Sequence, residues 1–239
     1  MANFKTHLFT AASASCILAT GLYSNNLIEI LESPWLIFLG TIGGLLPDID
    51  SDNSRPLKLL FIALATLASI LSILTYIDQY TFQQLSIIAS AAFLIVRYPI
   101  LSIFRYFTTH RGVFHSLLSS AFFTLLTVYA YHTLLHSSIH FAWISGGFIG
   151  FGFTIHLILD ECYSVDLSNV QLKRSFGTAF KLFSLQNLPA SFAMFGACTL
   201  LYFYTPAFPF KHQEALTIIN FALEATSTTL EKYFFRLTW

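Results

Sequence analysis

Seven apolar stretches, separated by short polar breaks, constrain the fold of this 239-residue chain more than any other feature. Several of them reach the roughly 20 residues that a helix needs to cross the hydrocarbon core of a membrane. Only 10% of the residues are charged, whereas soluble domains carry about 25%. We therefore predict an all-α fold, a polytopic membrane helical bundle with about six or seven membrane segments. The predicted segments lie at residues 8–24, 34–46, 57–77, 82–104, 113–135, 141–160 and 182–204.

Three parts of this pattern need separate interpretation. The stretch from Trp35 to Leu46 is too short for an easy span and is predicted to be a re-entrant or half-membrane helix. The first stretch follows Lys5 as a secretory signal would, but its low charge and nearby histidine favour a retained membrane helix. The tail from Glu214 to Phe235 has mixed polarity and predicts an interfacial amphipathic helix. We expect a membrane-embedded domain at residues 1–205 and an amphipathic tail at residues 206–239.

The basic residues predict the orientation of the bundle. If every segment spans the membrane, nine of the twelve Lys and Arg residues fall on one side, and the loops on the other side contain none. Since cytoplasmic loops carry an excess of Lys and Arg, we place the N-terminus and the basic loops in the cytoplasm. The other three basic residues lie in the tail, which would then face outward. Acidic residues also number 12, so no basic surface is available for a nucleic acid.

Imidazoles and carboxylates from four separate places in the chain fall on that same side. An Asp at the centre of a membrane helix costs about 2.5–3.5 kcal/mol on insertion scales. Ionisable groups at the ends of apolar stretches in so charge-poor a chain therefore suggest a shared site. The candidates are His7, Asp48, Asp50, His110, His115, His156 and Asp160. We interpret Asp52, on the same side, as a solvated loop residue.

The local spacing of these groups suits metal binding. On a helix, His156 and Asp160 are four residues apart, so their side chains leave the same face. An imidazole and a carboxylate on one face can bind one metal ion, or one each of a close pair. Pro47 ends the preceding helix, and Asp48 and Asp50 are then expected in a turn where both can aim at one point.

The two histidines between these segments, His110 and His115, have a different spacing. His110 and His115 are five residues apart, which does not fit one helical face but fits a loop that leads into a helix, with Gly112 supplying the bend. The three aspartates would contribute three negative charges, and two divalent cations four positive ones. The net charge of about +1 leaves room for a hydroxide or an anionic phosphate. Jointly, the four places favour a metal site.

Other interpretations of the histidines are open. The pair His156 and Asp160 would also fit a structural ion pair or a proton relay. His132, His136 and His140 recur every four residues, but they lie across the membrane from the other candidates and have no carboxylate neighbour. We interpret them as interfacial polar residues, with an outward-facing metal or proton site as the alternative. The three cysteines are far apart and odd in number, so they predict no disulfide framework.

At these residues the chain resembles the YdjM-like family of membrane-bound, metal-dependent hydrolases. The resemblance covers about residues 5–165 and rests on His7, on residues 45–50 (Leu-Leu-Pro-Asp-Ile-Asp), on residues 110–116 (His-Arg-Gly-Val-Phe-His-Ser) and on residues 156–160 (His-Leu-Ile-Leu-Asp). The family commonly has Thr before the second His of the His-Arg-Gly motif. Here Phe114 stands there, so any role of that hydroxyl is absent. The family is distantly similar to zinc-dependent phospholipases C, whose helices also present a His-x-x-x-Asp pair to a multi-zinc cluster.

The resemblance implies phosphoester hydrolysis at a zinc (Zn) site of roughly two or three ions. The basic loops place this site on the cytoplasmic face of the membrane, which is expected to be a bacterial inner (cytoplasmic) membrane. His110 is expected to be a ligand or an acid–base catalyst, and Arg111 a phosphate clamp. A lipid or lipid-linked phosphoester is the expected substrate, because it reaches such a site within the bilayer. The expected metal ligands are His7, Asp48, Asp50, His115, His156 and Asp160.

Three other classes of membrane protein use histidines or aspartates within the bilayer. A type-2 phosphatidate phosphatase needs Ser-Arg six residues ahead of the His-x-x-x-Asp pair, and Ile149 and Gly150 stand there instead. A zinc intramembrane protease needs His-Glu-x-x-His, which is missing from the sequence. A membrane metal or proton carrier would use the same His/Asp cluster as a transport site, and it is the alternative function.

Overall fold

A computed structural model describes residues 3–50, 55–102, 113–166, 171–172 and 181–235. The chain forms two compact units, one from Met1–Pro47 with Val113–Trp239 and the other from Asp48–Gly112. The helices are α1 (Phe4–Ser24), α2 (Ser33–Gly43), α3 (Arg55–Tyr76), α4 (Phe82–Ile95), α5 (Leu117–Tyr129), α6 (Ile139–Cys162), α7 (Leu188–Tyr204) and α8 (His212–Phe235). Turns of 3-10 helix lie at Leu46–Asp50 and Leu185–Asn187, and π-helical turns at Val96–Ile100 and Ala130–Leu134 extend α4 and α5.

Side-chain caps define where several of these helices begin. The Asn3 side chain accepts a hydrogen bond from the Thr6 backbone N–H at 2.9 Å, at the start of α1. Ser116 and Ser138 cap α5 and α6 in the same way. Each cap satisfies one of the N–H groups that the first turn of a helix leaves without a partner. These caps matter for the site because α1, α5 and α6 are the helices that carry or adjoin its side chains.

Helix α6 is the centre of the first unit. It packs against α1, α2 and α5, while α7 packs against α5 and α8 packs mainly against α1. Its Phe148, Phe153 and Leu157 side chains are among the most deeply buried in the chain. Helices α2 and α6 approach backbone to backbone, since a Cβ atom added at Gly152 would lie only 1.8 Å from the carbonyl oxygen of Gly40. The glycines therefore allow a contact that larger residues would prevent.

The second unit is smaller and consists mainly of α3 and α4, which pack together. The Ser69 hydroxyl on α3 donates a hydrogen bond to the Ala89 carbonyl on α4 at 2.8 Å. The π-helical turn that extends α4 contains Pro99, which lacks the N–H needed for a regular α-helical bond.

The predicted all-α fold is confirmed. Among the described residues, three helical stretches are long and apolar enough to cross a membrane, and two further apolar helices are shorter. The three are Phe82–Ile100, Leu117–Leu134 and Ile139–Cys162, and the shorter ones are Phe61–Tyr76 and Leu188–Tyr204. The predicted total of six or seven segments stays a prediction. Helix α2 has 11 residues, in agreement with its prediction as too short for an easy span.

The C-terminal region contains the predicted helix, α8, whose Thr229 and Ala225 are buried. The proposed boundary between residues 205 and 206 stays a prediction. After α6 the chain forms a two-stranded antiparallel ribbon, β1 (Val165–Asp166) and β2 (Gln171–Leu172), in which Val165 lies opposite Leu172. Two residues per strand do not alter the helical class of the fold.

The packing of α8 on α1 can be tested at Gly21. A Cβ atom there would lie 2.4 Å from Cδ1 of Phe221, which is closer than van der Waals contact allows. We expect Gly21→Leu to lower the free energy of unfolding by about 1–3 kcal/mol, the usual effect of overpacking. Adding Phe221→Ala should restore part of that loss, because the obstructing atoms belong to a side chain. Thermal unfolding in detergent measures both variants, and an unchanged midpoint for Gly21→Leu would exclude this contact.

Candidate metal centre

Four ionisable side chains from three parts of the first unit meet in its interior. His7 lies on α1, His115 lies just before the cap of α5, and His156 and Asp160 lie on α6. All four residues are at most 2% exposed. Charged and polar groups are rarely buried to this extent unless they are paired or bind a metal ion. The structure thus brings together the predicted site residues that belong to this unit, from all three parts of the chain.

The carboxylate of Asp160 is the point at which the imidazoles meet. The Nε2 atom of His7 lies 3.2 Å from Oδ1 of Asp160. The Nε2 atoms of His115 and His156 lie 3.9 Å and 3.8 Å from Oδ2. The same nitrogen of each ring thus faces one carboxylate, and the spacing of four residues on α6 is what places His156 and Asp160 on one face.

The backbone of α2 holds the His156 ring in place. Nδ1 of His156 lies 2.7 Å from the carbonyl oxygen of Gly44, the residue that caps the C-terminal end of α2. A carbonyl can only accept, so Nδ1 must carry the proton and the neutral ring has its lone pair on Nε2. This bond also satisfies one of the carbonyls that a helix leaves without a partner at its end. Orientation of a ligating imidazole through its other nitrogen is typical of metal sites.

Ring packing restricts the cluster further. The rings of His7 and His156 are stacked, with centroids 3.7 Å apart and planes inclined by 12°. The His115 ring meets the His156 ring edge-on at 5.6 Å. Two protonated rings stacked this closely would repel each other, so the arrangement suits neutral imidazoles, the form that ligates metals. Single donor atoms of His7, His156 and Asp160 lie within 4.8 Å of one another, close enough to hold a metal ion together.

The remaining predicted site residues belong to the second unit or lie beyond the described part of the chain. Asp48 is a half-buried residue of the 3-10 turn Leu46–Asp50 and belongs to the second unit. The turn confirms the expected end of α2 before the two aspartates. The side chain of Asp50, together with His110 and Arg111, lies outside the described residues. Their roles stay predictions.

The three regularly spaced histidines do not join the cluster in the described structure. Nδ1 of His132 lies 3.3 Å from the Ser137 carbonyl oxygen, and the His140 ring packs edge-on against Phe210. His136 has a left-handed backbone conformation, with φ of 51°. The three histidines therefore do not share one helical face, because the π-helical turn that extends α5 ends at Leu134 and α6 begins only at Ile139.

Sequence reasoning missed the role of Gly44. Glycine has no functional side chain, and Gly44 contributes its backbone carbonyl, which accepts a hydrogen bond from His156. The pair Gly43-Gly44 just before Leu45-Leu46-Pro47 was visible in the sequence. Glycines at a helix end are common for conformational reasons alone, so the pair did not indicate a hydrogen bond to His156.

Fold and site together define a helical membrane protein that buries a histidine–aspartate cluster able to hold a metal ion. The chain belongs to the YdjM inner membrane protein family, whose model matches residues 1–173. This match includes all four side chains of the cluster. No curated protein and no solved structure matches the chain.

Proposed function

We propose that this protein is a membrane-embedded, metal-dependent hydrolase that cleaves a phosphoester of a lipid or a lipid-linked compound. The observation that carries the proposal is the orientation of three buried imidazoles, whose Nε2 atoms all face the Asp160 carboxylate. A structural ion pair would need only one of these rings. The cluster instead contains the ligand sets of catalytic zinc sites, which use three histidines, or two histidines and a carboxylate, and keep a fourth position open.

The residues proposed to hold the metal extend beyond the four that meet in the first unit. Asp48 and Asp50 would supply the donors that a second or third ion requires. We propose zinc, because a mixed nitrogen and oxygen set suits it. When bound, such ions supply Lewis acidity, which activates water and stabilises negative charge on a phosphoester.

The protein's own residues have separate roles in the proposed reaction. A water molecule loses one proton as its oxygen forms a bond to phosphorus, the bond from phosphorus to the leaving oxygen breaks, and the leaving oxygen takes up one proton. His110 is the proposed donor of that proton. Arg111 lies four residues before His115, and its guanidinium is proposed to hold two phosphate oxygens. Gly44 holds His156 in the tautomer that ligation requires.

The position of the cluster along α6 supports a substrate at the membrane surface. Helix α6 has 24 residues and is therefore about 36 Å long, slightly more than the roughly 30 Å hydrocarbon core. Asp160 lies two residues before the end of this helix. A group bound there would lie near headgroup depth, where the phosphoester of a lipid is found. The excess of basic residues on this side is the basis for proposing that it faces the cytoplasm.

The experiment that tests this function measures metal content and hydrolysis on the same purified protein. We expect bound zinc by elemental analysis and metal-dependent hydrolysis of bis(p-nitrophenyl) phosphate or a phospholipid. Chelation should abolish the activity, and zinc should restore it. Protein that carries no divalent metal after metal-replete purification would overturn the proposal.

A second candidate function, a metal or proton carrier, is favoured by one observation. The four side chains are almost completely buried, as an occluded ion would require. A carrier predicts zinc or proton uptake into proteoliposomes without hydrolysis of either phosphoester. Hydrolysis without uptake favours the enzyme.

A further inference from the structure

An apolar cavity of about 510 Å³ lies in the first unit, between the start of α5, the segment before α7 and the first turns of α7. Its volume is within the range of small-molecule sites. The residues that shape it include Leu117, Leu118, Leu182, Phe183, Phe192 and Phe195. Most ligand sites contain several polar groups that orient the ligand. Among the described residues that line this cavity, only Ser191 has a polar side chain.

Hydrogen bonds between its walls hold the cavity in shape. The backbone N–H groups of Leu117 and Leu118 donate to the carbonyls of Lys181 and Leu182, at 2.9 Å and 3.0 Å. These are N–H groups of the first turn of α5, which the helix itself cannot satisfy. The hydroxyl of Ser191 in turn donates to the Ser184 carbonyl at 2.8 Å. These bonds hold in place the segment that forms one wall of the cavity, while the outer side is open, since Leu182, Phe192 and Phe195 are exposed.

The cavity adjoins the histidine–aspartate cluster through a very short piece of chain. His115 is a member of the cluster, and Leu117, two residues later, lines the cavity. Consecutive Cα atoms are about 3.8 Å apart, so the Cα atoms of these two residues lie within about 7.6 Å. An acyl chain is longer than this separation, so one lipid is long enough to extend from the cluster to the cavity.

We propose that this cavity binds an acyl chain of the lipid whose phosphoester is presented to the cluster. The proposal rests on the proposed phosphoesterase function and adds the part of the substrate that is recognised. An acyl chain needs no hydrogen-bond partner and gains free energy from contact with Leu and Phe side chains, which matches a lining with one hydroxyl. Headgroups, sugars and nucleotides would leave their polar atoms without partners there.

The experiment uses the full chain in dioleoylphosphatidylcholine nanodiscs and a phosphatidylglycerol probe with a diazirine at the end of one acyl chain. After illumination, we expect cross-links on residues 182–195. Ser191→Trp fills the cavity and should reduce these cross-links about tenfold. The matched control Leu200→Trp lies on an exposed face of the same helix, outside the cavity, and should leave them unchanged.

A second pair of variants guards against a folding defect in Ser191→Trp. Phe192→Ala removes a ring that lines the cavity, and Phe203→Ala removes a ring of similar exposure on the same helix that does not line it. We expect only Phe192→Ala to weaken cross-linking, by about fivefold. Equal labelling of all variants, or labelling spread evenly over exposed helix surfaces, would overturn the proposal.

Hydrolysis assays separate this proposal from the proposed function. Ser191→Trp should lower kcat/KM about tenfold for a long-chain phospholipid and leave bis(p-nitrophenyl) phosphate within about twofold of wild type. Equal loss on both substrates would overturn the acyl-chain site while the hydrolase stands. Specific cross-linking in a wild-type protein that hydrolyses neither substrate would support the chain-binding cavity and overturn the phosphoesterase.

Discussion

Replacing His156 and Asp160 together with alanine is expected to abolish metal binding by this protein. The two residues supply one imidazole and the carboxylate that faces all three rings. Loss of groups that merely support metal ligands already costs about 10–100-fold in affinity, so loss of two ligands should exceed about 100-fold. Elemental analysis of protein purified in parallel with wild type measures the result. Phosphoester hydrolysis should fall to background in the same preparation.

Removing both residues is more informative than removing one. A single Asp160→Ala change would leave three buried imidazoles without their carboxylate, and breaking a buried pair in this way costs about 3–5 kcal/mol. The double variant leaves two such imidazoles, His7 and His115, in place of three, and thermal unfolding checks that it is folded before its metal content is compared. His140→Ala is the matched control, because its ring packs on Phe210 and lies outside the cluster. Wild-type metal content in the double variant would contradict the proposed metal centre.

Gly152→Ala is expected to destabilise the protein and also weaken metal binding, although the residue ligates nothing. A Cβ atom there would lie 1.8 Å from the Gly40 carbonyl oxygen and 2.9 Å from the Gly44 backbone nitrogen. The obstructing atoms are backbone, so α2 must move away from α6. Overpacking of this kind costs about 1–3 kcal/mol or more. The movement also displaces the Gly44 carbonyl from His156, which should lower metal affinity by about 10–100-fold.

The same helix provides a matched control for this substitution. A Cβ atom at Gly147 would meet nothing within 4 Å, so Gly147→Ala should keep or raise stability, since alanine favours a helix by about 1 kcal/mol over glycine. Thermal unfolding in detergent compares the two variants. Metal titration is then done at a temperature where both are folded. Equal stability of the two variants would show that α2 and α6 do not approach as described.

Much of the cluster was predictable because part of its geometry is local. His156 and Asp160 are four positions apart, and this spacing puts them on one helical face wherever that helix lies. Placement of His7 and His115 near the pair followed from a weaker argument, the assignment of apolar segments to alternate sides of a membrane. The structure confirms that these two histidines reach Asp160. The turn after α2 was likewise predictable from Pro47, which cannot continue a helix.

The division of the chain into units was not predictable from the same patterns. The boundary between Pro47 and Asp48 lies inside one short turn, at a polar break like those that separate the other apolar stretches. Apolar stretches of similar length occur in both units, because each helix needs an apolar surface whichever neighbour it packs against. Similarly, the regular spacing of His132, His136 and His140 suggested one face, but the chain leaves the helix between them.

The amino-acid sequence by itself determined that this is a helical membrane protein and that histidines and aspartates gather at the ends of its apolar segments. Low charge and long apolar runs leave few other folds for such a chain. Only the tertiary structure decided which nitrogen of each ring faces Asp160 and that a backbone carbonyl holds His156. Gly44 and His156 form this hydrogen bond across two helices, and the close approach of those helices depends on glycines in α2 and α6. Contacts of this kind depend on the shape of both surfaces at once, and no periodicity within either helix encodes them.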